Sequence, residues 1–234
     1  MNKLLKYRQQ RFKIWPFLSL SVLNLLLSKN NIEFGVMDAY LLQQILVFLF
    51  GMRLYDDLKN SAFDFGKPNR DYTLKENKAN LTKSLIVILA TNVLLQWNNA
   101  INILFFVIFF ITNHFLYSLF FKHEKGRFVL PLIKYAFISI FICNGTVLLG
   151  IMMFLAMFAF DLFNDTNAPF SKKLIYPSVV LVFVIFYSQN STLFYLFPTI
   201  ALTITIVAMA IQFRYASYLL LTNLLLLKLI HLFL

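Results

Sequence analysis

With 60% hydrophobic side chains, only 13% charged ones and a mean hydropathy of +0.73, this chain of 234 residues is too apolar for a soluble domain and reads as a polytopic membrane protein. The net charge of +11 gathers in a few loops; the positive-inside rule accounts for that more simply than a nucleic-acid partner, and none is expected. A single cysteine, Cys143, excludes an intrachain disulfide and a thiolate metal site. Six glycines and six prolines leave the apolar runs nearly unbroken, so they read as helices, and no alternating pattern suggests a barrel.

The N-terminus, MNKLLKYRQQRFKIW, is basic. No small-residue cleavage site follows its apolar stretch, so the first span is expected to be retained. A bilayer crossing needs about 20 apolar residues. Nine spans are predicted near 14–29, 36–55, 80–96, 100–120, 128–143, 146–163, 173–188, 193–211 and 214–233. Several are short, which implies a thinned membrane or tilted, partly buried helices.

Loop charges then alternate. Basic residues crowd the N-terminus (Lys3, Lys6, Arg8, Arg11, Lys13) and the loop after span two (Lys59, Lys67, Arg70, Lys75, Lys78, Lys83). They recur after span four (Lys122, Lys125, Arg127) and span six (Lys172, Lys173). The intervening loops read SKNNIE, QWNNA, CNG and SQNS. This alternation predicts an N-in, C-out, all-α protein whose even-to-odd connections are cytoplasmic. Lys75, Lys78, Lys83, Lys172 and Lys173 are read as topology determinants.

Two acidic groups open on that same side. The first is Asp56, Asp57, Asn60 and Asp64, at the end of span two. Asp56, Asn60 and Asp64 are spaced i, i+4, i+8 and would share one helix face, with Asp57 joining them. Carboxylates stacked this way repel unless a cation neutralises them, and Mg²⁺ prefers such oxygen ligands. The second group, Asp161 and Asp165, is spaced i, i+4 at the end of span six. Within the spans, His114, Asn92 and Asn113 read as helix–helix hydrogen-bonding groups, with a base the alternative for His114. Tyr55 and Tyr117 read as interfacial tyrosines.

These residues resemble the UbiA superfamily of intramembrane prenyltransferases. That family has nine transmembrane helices and aspartate-rich motifs on cytoplasmic loops after helices two and six. Its first motif, Asn-x-x-x-Asp-x-x-x-Asp followed by Pro-x-Arg, is similar to Asp56-x-x-x-Asn60-x-x-x-Asp64 followed by Pro68-Asn69-Arg70. A branch with Arg-x-x-Asp-Glu-x-Lys-Asp resembles the run Arg53 to Asn60, with Asn60 in place of an acid. Phe160-Asp161 and Ala168-Pro169 look like that branch's Phe-Glu and Ala-Pro elements.

The resemblance implies one transmembrane domain over 1–234, with helices around a central cavity. It implies Mg²⁺-assisted ionisation of an isoprenyl diphosphate and transfer of the prenyl group to an aromatic or lipid acceptor. Metal ligands would be Asp56, Asp57, Asn60, Asp64, Asp161 and Asp165; Asp56, Asn60, Asp64, Asp161 and Asp165 would be catalytic. Arg53, Lys67, Arg70 and Lys122 would bind the diphosphate, whose departure requires its charge to be neutralised. Cyclisation of the diphosphate without an acceptor, as in UbiA-type terpene cyclases, is the alternative. A different class is a non-catalytic membrane protein or small transporter; against transport, the charges lie at one face and not at the midplane. The expected location is a bacterial inner membrane, with the active site facing the cytoplasm and lipid on all sides.

Overall fold

The computed structural model describes residues 4–5, 7, 14–29, 33–62, 75–95, 100–120, 122–165, 168–190, 196–213 and 215–233. All regular structure among them is helical. In chain order come α1 (Ile14–Leu27), α2 (Val36–Lys59), α3 (Lys75–Leu95) and α4 (Ala100–Phe120). An interrupted helix follows: α5 (Glu124–Val129), a 3₁₀ turn (Leu130–Leu132), α6 (Ile133–Phe137) and a π turn (Ile138–Ile142). Then come α7 (Val147–Asn164), α8 (Ile175–Gln189), α9 (Leu196–Ala210) and α10 (Ala216–Phe233).

Counting α5 to the π turn as one segment, the described residues hold nine helical segments, each at a predicted position. Among the described residues six stretches are long and apolar enough to cross a membrane, and Pro16–Leu27 and Phe197–Ala210 are shorter apolar helices. Boundaries differ most on the charged side. The second helix runs to Lys59 and the third begins at Lys75, because helical hydrogen bonding continues through polar residues where hydropathy stops. The interruption in the fifth segment has local causes. Pro131 lacks an N–H and sits in the 3₁₀ turn, and Cys143 N–H reaches back to the Ile138 carbonyl, 2.9 Å, which widens the last turn.

The chain forms two compact units: Met1–Ser21 with Val36–Ile108, and Val22–Gly35 with Phe109–Leu234. In the first unit α2 packs on α3. Gly51 permits this, since a Cβ there would come within 3.0 Å of the Ile88 side chain. Phe48 of α2 meets the edge of Phe106, ring centroids 5.9 Å apart.

In the second unit α7 is central and contacts α6, α8 and α10. Its buried face is Met152, Met153, Ala156 and Ala159; the small residues let neighbouring helices approach. Gly150 lies so close to the π turn that a Cβ would meet Ile140 at 2.5 Å. Polar side chains stitch the same unit. Ser139 Oγ donates to Asn24 Oδ1 at 2.6 Å, and Asn223 Nδ2 donates to Thr205 Oγ1 at 2.9 Å. On α9, Ala201, Thr205 and Ala208 are buried while Ile200, Ile204 and Val207 are exposed. An apolar exposed stripe beside a small-residue buried one suits a helix with lipid on one side and protein on the other.

Candidate functional site

Two members of the first acidic group, Asp56 and Asp57, sit in the last turn of α2. Asp56 and Asp57 are only 3% and 4% exposed. Two features make this placement costly. The surroundings are apolar, and a helix C-terminus carries the negative end of the backbone dipole, which disfavours carboxylates. The structure supplies the compensation. Arg53, one turn earlier, places Nε 3.5 Å from Asp57 Oδ2. Tyr7, itself buried, donates its hydroxyl to the same oxygen at 2.9 Å. The Tyr7 ring also lies against Phe50, centroids 6.2 Å apart. Lys59 adds positive charge at the helix end, with Nζ 5.6 Å above the Tyr55 ring.

Tyr7 is not legible in the sequence, where the N-terminus reads as a basic segment that sets topology. No local spacing links it to Asp57, fifty positions away. A tyrosine among the basic residues was the only signal available.

The expected single helical face from Asp56 to Asp64 stops short. The α-helix ends at Lys59, and Asn60–Ala62 is a 3₁₀ turn. Asn60 Nδ2 turns back to the Asp56 carbonyl, 2.9 Å, satisfying one of the carbonyls a helix end leaves over. Asp64, Lys67, Pro68 and Arg70 lie outside the described residues.

The second group belongs to the other unit. Asp161 lies in the last turn of α7 and is half-buried, whereas Asp165 is exposed. Asp165 is the C-cap, with extended backbone (φ −89°, ψ 110°), and its N–H reaches the Asp161 carbonyl at 2.8 Å. The i, i+4 spacing therefore spans the helix end and does not continue a helical face.

Lys172 caps that end. Its ammonium donates to the carbonyls of Leu162, of Phe163 at 3.3 Å and of Asp165 at 2.6 Å. A cation over the last carbonyls satisfies both their hydrogen bonding and the dipole. Asn164 Nδ2 ties the same turn to Ser217 Oγ on α10, 2.9 Å. Lys122 is exposed in the connection between α4 and α5.

Among the described residues, then, Arg53 and Tyr7 come together on Asp57, beside the buried Asp56, and Asp161 and Asp165 stand at one helix end. Carboxylate and amide oxygens are the donors a hard cation takes. No three His, Cys, Asp or Glu side chains among the described residues gather as a metal site. A ligand set at α2 would thus need Asp64 besides Asp56 and Asp57. Compared with protein-family models, with curated proteins and with solved structures, the chain has no match in any of the three.

Proposed function

We propose that the chain is an integral-membrane enzyme of the UbiA type that ionises an allylic isoprenyl diphosphate and transfers the prenyl group to an aromatic or lipid acceptor. The observation carrying this reading is the buried Asp56–Asp57 pair, held with Arg53 at the end of an apolar helix. Ionisable groups kept at such a cost inside a membrane protein point to function. Arg53, Lys67, Arg70 and Lys122 would pair with phosphate oxygens, the arginines through bidentate forks. Asp56, Asp57, Asn60 and Asp64 would hold one Mg²⁺, and Asp161 with Asp165 a second. Magnesium held by these residues would supply the positive charge that a departing diphosphate needs.

The bond that breaks joins the allylic carbon to the diphosphate oxygen. The bond that forms joins that carbon to the acceptor, which releases a proton. Apolar helices would bury the isoprenoid tail and exclude water from the carbocation. The loop charges support an N-in, C-out arrangement, with this chemistry at the cytoplasmic face of a bacterial inner membrane.

The test uses purified protein in nanodiscs, given ten-, fifteen- and twenty-carbon allylic diphosphates with Mg²⁺, with and without a membrane extract as acceptor source. Expected is diphosphate release that needs the extract and is lost in Asp64→Ala, while that variant still inserts. A discrete terpene formed without acceptor would instead make the protein a cyclase. Unchanged release in Asp64→Ala would sink the metal assignment. No release from any substrate would favour a non-catalytic membrane protein.

A further inference from the structure

At one end of the second unit, where α7 and α9 finish and the α8 segment begins, there is an open crevice of about 500 Å³. Phe163, Ile175 and Met209 give it an apolar lining. Its polar lining is Lys172, Lys173, Tyr176 and Gln212, with no carboxylate among the described residues that line it. The two lysines differ in what they already do. Lys172 is committed to the carbonyls that end α7. Lys173 is exposed, and its backbone N–H is tied down to Ser171 Oγ at 3.3 Å, with no hydrogen-bond or ion-pair partner for its ammonium among the described residues.

The opposite wall ends in an unusual way. Gln212 N–H reaches the Met209 carbonyl at 3.1 Å and Phe213 N–H the Ala208 carbonyl at 2.9 Å, the paired bonds of a Schellman ending. The left-handed residue of that motif is usually glycine, yet here it is Gln212, with φ 54°. A residue with a side-chain amide therefore holds a strained position on the crevice wall.

We propose that this crevice seats the headgroup of an anionic phospholipid. It lies at the end of helices that include Lys172–Gln189, long and apolar enough to cross a membrane. Lysine ammonium, a half-exposed tyrosine and a side-chain amide are the groups that meet phosphate at a membrane interface. The apolar lining suits the start of an acyl chain. Charge complementarity selects the anionic class: a zwitterionic headgroup would bring its own cation toward two lysines. The proposal stands apart from the reaction proposed above.

Native mass spectrometry tests it. Protein in detergent is offered phosphatidylglycerol, phosphatidylcholine or inorganic phosphate alone. Phosphatidylglycerol should be retained in preference to phosphatidylcholine. Lys173→Gln should lower that retention about fivefold, the worth of one lysine at an anionic lipid surface. Lys125→Gln removes a charge that is also exposed and lies outside the crevice and should leave retention unchanged. Equal retention of both lipids would overturn the proposal. So would unaltered binding in Lys173→Gln, or equal losses in both lysine variants. Inorganic phosphate bound as well as the lipid would overturn the lipid assignment.

Discussion

The ends of α2 and α7 are built from similar material and solved differently. Each is an apolar helix finishing in aspartates with lysine nearby. At α2 the carboxylates are buried, and Asp57 is met by side chains, Arg53 and Tyr7. At α7 the capping aspartate is exposed, and the nearby cation, Lys172, serves backbone carbonyls instead. Composition alone does not separate a carboxylate kept inside a membrane protein from one that merely closes a helix. The identity of the partner does, because burial multiplies the penalty for an unmatched charge.

Three substitutions would break or sharpen that contrast. The largest effect is expected from Asp57→Ala, which removes the acceptor of the Tyr7 hydroxyl and the ion-pair partner 3.5 Å from Arg53 Nε. It should cost about 3 kcal/mol, the low end for a buried pair, because the Arg53 side chain is 32% exposed. Thermal unfolding in detergent would show it, and a loss near zero would mean that the pair is solvated.

Tyr7→Phe removes one hydrogen bond to a charged oxygen and should cost about 1.5 kcal/mol. Its effect should shrink markedly in the Asp57→Ala background; full additivity there would deny the contact. Lys172→Met keeps the side-chain length but loses the ammonium over the α7 carbonyls. About 1 kcal/mol is expected, with hydrogen exchange rising in the last turn of α7 and not at α2. Equal exchange at both ends would erase the distinction between them.

Much of the helical order was legible in the chain. The predicted spans fall on the observed helices from α1 to α10 because a long apolar run that must satisfy its own backbone has few alternatives to a helix. The acidic groups were legible as well, since carboxylates stand out against such a background. Their geometry was less so. Spacing of i, i+4, i+8 assumed an unbroken helix, but Asn60 bonds the Asp56 carbonyl and the chain tightens into a 3₁₀ turn. Lys172 read as a topology determinant, and its role as a cap emerged only with the carbonyls of α7 in place. Asn92 read as a helix–helix hydrogen-bonding group, yet its amide donates to the Ile88 carbonyl of its own helix, 2.9 Å.

The sequence by itself determined the all-helical architecture and which helix ends carry charge. Hydropathy and backbone hydrogen bonding are local properties, and nothing farther away was needed to express them. Only the tertiary structure decided that Tyr7 meets Asp57, that Gly51 lets α2 close on α3, and that Lys173 borders a crevice. Each of those depends on segments distant in the chain arriving at one place, and their packing is set by shape and paired polarity that no single segment encodes.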